Sequence, residues 1–295
     1  MTIKIEMLRC FCTVVQAGNL SEAANRLGRT QSAVSMTLKQ LQDHLGERLF
    51  ETERKNRLSP FGEQVFDLAQ KQLQQFDHTV HAIETSAASP HGLIRIVSVP
   101  SIAAHVFPTA IETISRNHPG VMIELRDTDT HQVMDAMVQG HADIGIASGH
   151  FVLNGVRSIP LFEDRFGLVC AADHPMISAP EPPTIADVTS NRFVHNNLCG
   201  LIKTPAFQAA VAGAEITVHN THSLIAMVRS GNWVTILPQT VVQFMPDALA
   251  FRAISDLPDK RHVYLYVREQ SRDIRLAEEL CDLIIKNLKA SGHAS

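Results

Sequence analysis

The chain has 295 residues, 45% of them hydrophobic and 19% charged, with five cysteines and a formal net charge of −4. That length suits about two domains, each able to bury a core, and the composition excludes collagen-like, low-complexity and disulfide-scaffold classes. No apolar run approaches the roughly 20 residues that cross a bilayer, and Met1 to Glu6 carry no secretory pattern, so a cytoplasmic protein is expected.

The first informative segment is residues 19–50, NLSEAANRLGRTQSAVSMTLKQLQDHLGERLF. Asn19 can accept from the N–H of Glu22 while Glu22 reaches back, the reciprocal capping that starts a helix. Ala23, Ala24 and Leu27 give this helix a small apolar face, and Gly28 ends it. Thr30 caps a second helix whose Val34, Leu38, Leu41 and Leu45 form one buried stripe, with Gln31, Ser32, Ser35, Met36 and Lys39 left on the outer side. Short, mostly uncharged side chains suit a helix that lies against base edges and phosphates in a major groove about 12 Å wide. Residues 29–58 hold six cations and four anions, and all the net negative charge falls beyond residue 90. Arg29 and Thr30 flank this helix, while Arg54, Lys55 and Arg57 read as a cationic wing that supports contact with the DNA backbone.

After Pro60 the residues Val65, Ala69, Leu73, Phe76, Val80 and Ile83 make a coiled-coil-like seam along one long helix, which favours dimerisation. Pro90 and Gly92 then begin a hinge. Segments 93–99, 121–125, 144–147, 166–171, 192–195, 234–237 and 263–267 read as strands alternating with helices, a pattern that predicts parallel sheets covered by helices. Ligands in open sheets of this kind sit beyond the carboxyl ends of strands. Pro100, Ser101 and Ile102 open a helix there, so Ser101 and its neighbouring N–H groups suit an anion. Thr128, Thr130 and Ser148 follow the next strand ends, and His195, Asn196, Thr221 and His222 come from the second half, with His195 and His222 expected to face one another.

The cysteines Cys10, Cys12, Cys170, Cys199 and Cys281 show no CxxC pair and read as reduced, buried thiols, with redox sensing by Cys199 the lesser alternative. The pairs His78-x-x-His81 and His219-x-x-His222 lack further ligands nearby, so no metal and no cofactor are expected. No nucleophile elbow, phosphate loop or HExxH motif is present, which argues against an enzyme.

Phe11, Val14, Ala23-Ala24, Leu27, Gln31-Ser32-Ala33-Val34-Ser35, Leu41, Leu45-Gly46, Arg48-Leu49-Phe50 and Leu58-Ser59-Pro60 with Gly62 together resemble the LysR-type transcriptional regulators. Phe107-Pro108, His118-Pro119, Gly140-His-Ala-Asp143, Asp173-His-Pro175 and Leu237-Pro238 extend the resemblance along the chain. It departs at Met36 and Thr52, where the family usually has Arg, at Gln42, where Glu is common, and at Asn232-Trp233, which replace part of a Gly-Leu-Gly stretch.

The resemblance implies an α/β protein overall. An all-α winged helix-turn-helix would span residues 1–60, a linker and dimerisation helix with hinge 61–90, and an effector-binding domain like a periplasmic binding protein 91–295. Lobe one would cover about 91–162 and 264–290, and lobe two about 163–263. The Ser at position 101 commonly touches effector in such proteins. The implied function is ligand-responsive control of transcription: a homodimer assembling to a homotetramer, double-stranded promoter DNA and RNA polymerase as partners, and a small, anionic metabolite of unknown identity as effector. The alternative is a solute-binding or sensor protein whose ligand is not coupled to transcription.

Overall fold

The computed structural model describes residues 2–51, 57–88, 91–243 and 249–290, and the chain divides into two compact units, 1–88 and 89–295. The first unit contains α1 (Ile5–Ala17), α2 (Leu20–Leu27), α3 (Gln31–Leu45) and α4 (Pro60–Ala88). Phe11, Val14, Ala23, Ala24, Val34, Leu38, Leu41, Leu49 and Phe50 form its core, where the Phe11 ring meets Phe50 edge-on at 5.7 Å. The small Ala23-Ala24 pair lets α2 approach α1 closely. The seam expected along α4 divides in two: Ala69 and Leu73 are buried against this core, whereas Phe76 and Ile83, joined by Leu68, are exposed. Half of the apolar stripe therefore holds the helix to its own unit, and the first 60 residues supply more partner surface than the spacing alone suggests. Arg9 on α1 and Asp77 on α4 add a two-pronged ion pair.

The second unit runs β1 (Leu93–Ser98), α5 (Pro100–Asn117), β2 (Met122–Asp127), α6 (Thr130–Val138), β3 (Ile144–Ser148), β4 (Val156–Ala171), α7 (Pro175–Ser178), α8 (Ile185–Thr189) and β5 (His195–Asn196). It continues with α9 (Pro205–Val211), β6 (Thr217–Val218), α10 (Thr221–Arg229), β7 (Thr235–Pro238), α11 (Gln239–Gln243), β8 (Leu249–Ala253), β9 (Lys260–Arg268) and α12 (Ile274–Ala290). The main sheet has the order β2-β1-β3-β9-β4-β7, with β8 also paired to β4. β1 runs parallel to β2 and β3, but every pairing made by β4 or β9 in this sheet is antiparallel. The sheet is therefore mixed, a correction to the parallel sheets that the alternation predicts. A periodic pattern shows that a segment is a buried strand and leaves the direction of its neighbour open.

Two strands do the joining. β4 pairs with β9 over Val156–Arg165 and then, from Phe166 to Ala171, lies between β7 and β8. One core gathers Ile94, Ile96, Ile102, Phe107, Phe162, Val263 and Leu265 under α5 and α12, with α6 covering the opposite face of the sheet. The other gathers Phe166, Leu168, Val194, Phe207, Leu224, Ile236 and Leu257. The change of lobe thus falls between residues 162 and 166 on β4 and between 257 and 263 on the return path.

Several sequence marks acquire structural reasons. Asp143 is buried and accepts from the Arg95 backbone N–H at 2.9 Å and the Ser271 hydroxyl at 2.7 Å, tying β1 to the segment before α12. Ser59 accepts from Gly62 N–H at 2.9 Å and donates to the Arg48 carbonyl at 2.6 Å, which starts α4 against the end of α3's loop. Gly62 is required there because a Cβ would stand 2.0 Å from the Leu49 carbonyl oxygen. Gly62→Ala is expected to destabilise the first unit by about 2 kcal/mol through overpacking, read as an earlier midpoint in urea unfolding; an unchanged midpoint would show that α4 can shift freely.

Candidate functional site

α2 and α3 meet at Gly28, which adopts the left-handed conformation (φ 61°) that allows the tight turn. The Asn19 side chain accepts from Glu22 N–H at 2.9 Å as expected, but the Glu22 carboxylate pairs with Arg26 at 2.9 Å instead of reaching back to the cap. Thr30 accepts from Ala33 N–H at 3.3 Å and so caps α3. Val34, Leu38 and Leu41 are buried and Leu45 is half-buried, which fixes the helix's rotation. Arg29, Thr30, Gln31, Ser32, Ser35, Met36 and Lys39 are all exposed, Met36 by 60%. The structure therefore brings these predicted residues together on one continuous face of α3 and its leading turn.

Gln42, which stands where Glu is common in the family, accepts from the Leu49 backbone N–H at 2.9 Å and closes the loop after α3. That loop leads into an antiparallel bridge between Phe50 and Leu58, where Arg57 is exposed and pairs with Glu51 at 2.9 Å. Arg54 and Lys55, with Thr52, lie outside the described residues.

The predicted effector residues gather at two places. On lobe one, Ser101 stands in the first turn of α5, buried, and its hydroxyl accepts from Arg261 Nη1 at 2.9 Å. Pro100 occupies the first helical position and Ile102 points into the core. Thr128 donates its hydroxyl to Gln132 at 2.7 Å, Thr130 accepts from Ser148 N–H at 3.4 Å, and the buried Ser148 hydroxyl has no hydrogen-bond partner among the described residues. Arg261 is itself fully enclosed, with Nη2 donating to Asp164 at 2.8 Å and to Thr240 at 2.7 Å. Burial lowers the Arg261 pKa and the Asp164 charge opposes that shift.

On lobe two, Asn196 is buried and its side chain is taken up by the fold: it donates to Thr235 at 2.9 Å and Ile236 O at 3.1 Å and accepts from Leu198 N–H at 2.9 Å. A cavity of about 20 Å³, room for about one water molecule, is lined in part by Asn196, Asn197, His219 and Thr221. His195 is half-buried and its pKa is lowered, first by burial and then by His219. The histidine beside His195 is thus His219, not His222. β5 and β6 pair with His195 opposite Thr217, which carries residue 219 alongside, while His222 is exposed on α10. His219 also shares a 2.6 Å hydrogen bond with Asn197. Trp233 packs against the lobe-two core under the Arg192 guanidinium, 4.9 Å from its ring centre. Among the described residues no group of three or more His, Cys, Asp or Glu side chains is placed to hold a metal ion.

Two family models match the chain. Residues 5–63 match the bacterial regulatory helix-turn-helix protein, lysR family, and residues 87–289 match the LysR substrate binding domain. The chain belongs to the LysR family of bacterial transcriptional regulators. LysR-type relatives include the uncharacterised HTH-type transcriptional regulator YfeR of Shigella flexneri, 26% identical over 288 residues, 95% of this chain and 92% of the relative. Another, named "probable hydrogen peroxide-inducible genes activator", from Streptomyces viridosporus, is 28% identical and covers 81% of this chain and 78% of its own length. The fold is shared with CbnR in complex with its target DNA (TM-score 0.66, 15% identity, 97% of this chain and 100% of that one). It is shared also with a full-length OxyR variant of Pseudomonas aeruginosa (TM-score 0.54, 24% identity, 99% and 97%).

Arg261, Asp164 and Thr240 are residues of the candidate site that sequence reasoning passed over, and His219 was read only as one member of a His-x-x-His pair. Arg261 sits in the run Asp259-Lys260-Arg261-His262, which reads as a solvated flank, and only the pairing of β9 with β4 encloses it. The cysteines, by contrast, are buried as read: the Cys199 thiol is pushed up to about 12 by desolvation, as are Cys170 and Cys281. At about pH 8 such a thiol holds roughly a thousandfold less thiolate than a free one. Cys199 should therefore resist iodoacetamide in the folded protein and label rapidly once urea is added, as followed by mass spectrometry; fast labelling of the native chain would contradict its burial.

Proposed function

We propose that the chain binds promoter DNA as a dimer or higher assembly, reading the major groove with Gln31, Ser32, Ser35, Met36 and Lys39. The observation that supports this reading is the exposed, nearly uncharged outer face of α3, held in a helix-turn-helix whose inner face is locked by Val34, Leu38 and Leu41. Arg29 and Thr30 at the start of the helix, and Arg54, Lys55 and Arg57 in the wing, serve the phosphate backbone. Met36 in place of a cation removes one donor to guanine and leaves an apolar contact suited to a thymine methyl group. The exposed Leu68, Phe76 and Ile83 of α4 are the surface by which copies associate, leading to a homotetramer.

In the second unit a small, anionic metabolite binds between the lobes at Ser101, with Pro100, Thr128, Thr130 and Ser148 on one side and His195, Thr221 and His222 on the other, while Ile102 serves the core beneath. Its preference for one arrangement of the lobes changes the DNA-bound assembly and its contact with RNA polymerase, and it can do so only by binding the two arrangements with different affinity. No cofactor and no catalysis enter this reading, and no helix among the described residues is long and apolar enough to cross a membrane, in keeping with action in the cytoplasm. Regulation through oxidation of Cys199 is disfavoured by its enclosure and raised pKa.

Ser35 is exposed, so Ser35→Asp should leave the thermal midpoint unchanged while weakening specific promoter binding by about a hundredfold, since a carboxylate would face base edges and phosphates. Mobility shift with the chain's own upstream region measures this, and unaltered binding would remove α3 from the groove. Arg57→Ala should weaken binding on all sequences alike and lower the slope of log affinity against log salt by about 1.

A further inference from the structure

Arg261 lies where both joining strands change lobe. It is the register partner of Asp164 across β9 and β4, between the last residues of one core and the first of the other. Its guanidinium links Ser101 of lobe one to Thr240 of lobe two. A guanidinium has five N–H donors, yet the contacts to Ser101, Asp164 and Thr240 employ three, and the enclosed Nε finds no partner among the described residues. Ser148 stands opposite Val263 in the β3–β9 ladder, and Val263 is two residues along from Arg261, so Ser148 and Arg261 share one face of the sheet. Its hydroxyl too is enclosed and without a partner among the described residues. Both groups lie on the side covered by α5, an 18-residue helix whose first turn carries Ser101 and a partial positive charge. Lys260 and His262 occupy the flanking positions and pair with Glu163 in solvent, so among the described residues the charge of Arg261 is left to Asp164.

We propose that Arg261 is the specificity-determining residue of the effector site and selects a ligand bearing a carboxylate, whose oxygens take the Arg261 Nε–H, the Ser148 hydroxyl and the first turn of α5. Asp164 is the internal anion that holds the guanidinium in place. It also accepts from the Thr240 hydroxyl, so it stays hydrogen-bonded when the guanidinium turns toward an incoming oxyanion. A neutral ligand gains less from this exchange, because a guanidinium bonds a charged acceptor more strongly than a neutral one. The inference rests on the proposed effector reading and names the chemistry of that site.

The test is a thermal-shift titration of the full chain with benzoate, salicylate, succinate and glutarate, each beside its amide: benzamide, salicylamide, succinamide and glutaramide, at constant ionic strength. At least one carboxylate should raise the melting temperature by mass action while its amide does not. Ser148→Ala, which removes a hydroxyl that holds nothing in the fold, should leave the ligand-free melting temperature unchanged and raise the half-saturating concentration about fivefold. The paired change Arg261→Gln with Asp164→Asn, chosen so that neither charge is left alone, should abolish the carboxylate response. A response that survives in that double variant, or amides as effective as the acids, overturns the assignment of Arg261 while the effector cleft stands. If no compound of either series acts on a chain that still binds its promoter, both the assignment and the receptor reading fall.

Discussion

A buried guanidinium is tolerable only where an anion balances its charge, and Arg261, held by Asp164, imposes that condition on the second unit. Its acceptors come from three stretches that are far apart in the chain: Ser101 from α5, Asp164 from β4 and Thr240 from α11. Because β4 and β9 each pass from one hydrophobic core toward the other at this point, the ion pair sits on the joint between the lobes. Removing either partner alone would leave an uncompensated charge, so the register of the two strands and the placement of α5 and α11 are bound together. Such a pair contributes little net stability when matched against apolar packing, but it permits few alternative arrangements.

The first unit solves a different problem, that of presenting one helix without letting it rotate. Val34, Leu38 and Leu41 are held by Phe11 and Ala23-Ala24 beneath, while Thr30 and Gly28 fix where the helix begins. Gln42 closes the far end by taking the Leu49 N–H. What remains outward is short and polar, which is the requirement for close approach to a nucleic-acid groove. The α4 helix serves both sides of this arrangement, since Ala69 and Leu73 complete the core and Leu68, Phe76 and Ile83 stay available for another copy.

Legibility in the sequence followed the range of the interactions. The caps at Asn19 and Thr30, the turn at Gly28 and the buried stripe of α3 depend on residues a few positions apart, and they could be read directly. Strand positions were legible where branched residues cluster. The first ten residues of β4 were not, because Pro160 and the charged Glu163, Asp164 and Arg165 break the apolar pattern and only β9 makes them a strand. β8 was missed for a similar reason: Leu249–Ala253 has no β-branched residues and is extended by its pairing with β4, where Phe251 lies over the bare Cα of Gly167.

Among the candidate site residues, Ser101 was legible as the opening of a helix after a strand, whereas the residue that holds its hydroxyl was not. Nothing local marks Arg261, Asp164 or Thr240 as neighbours, and nothing local pairs His195 with His219 instead of His222. The sequence by itself determined the family, the two-unit organisation and the outward face of α3, because helical periodicity and capping are properties of adjacent residues. The tertiary structure alone decided the mixed sheet, the division of labour along α4 and the charge at the lobe junction. Those depend on which strands become neighbours, and burial can enclose an arginine only once distant segments supply its acceptors.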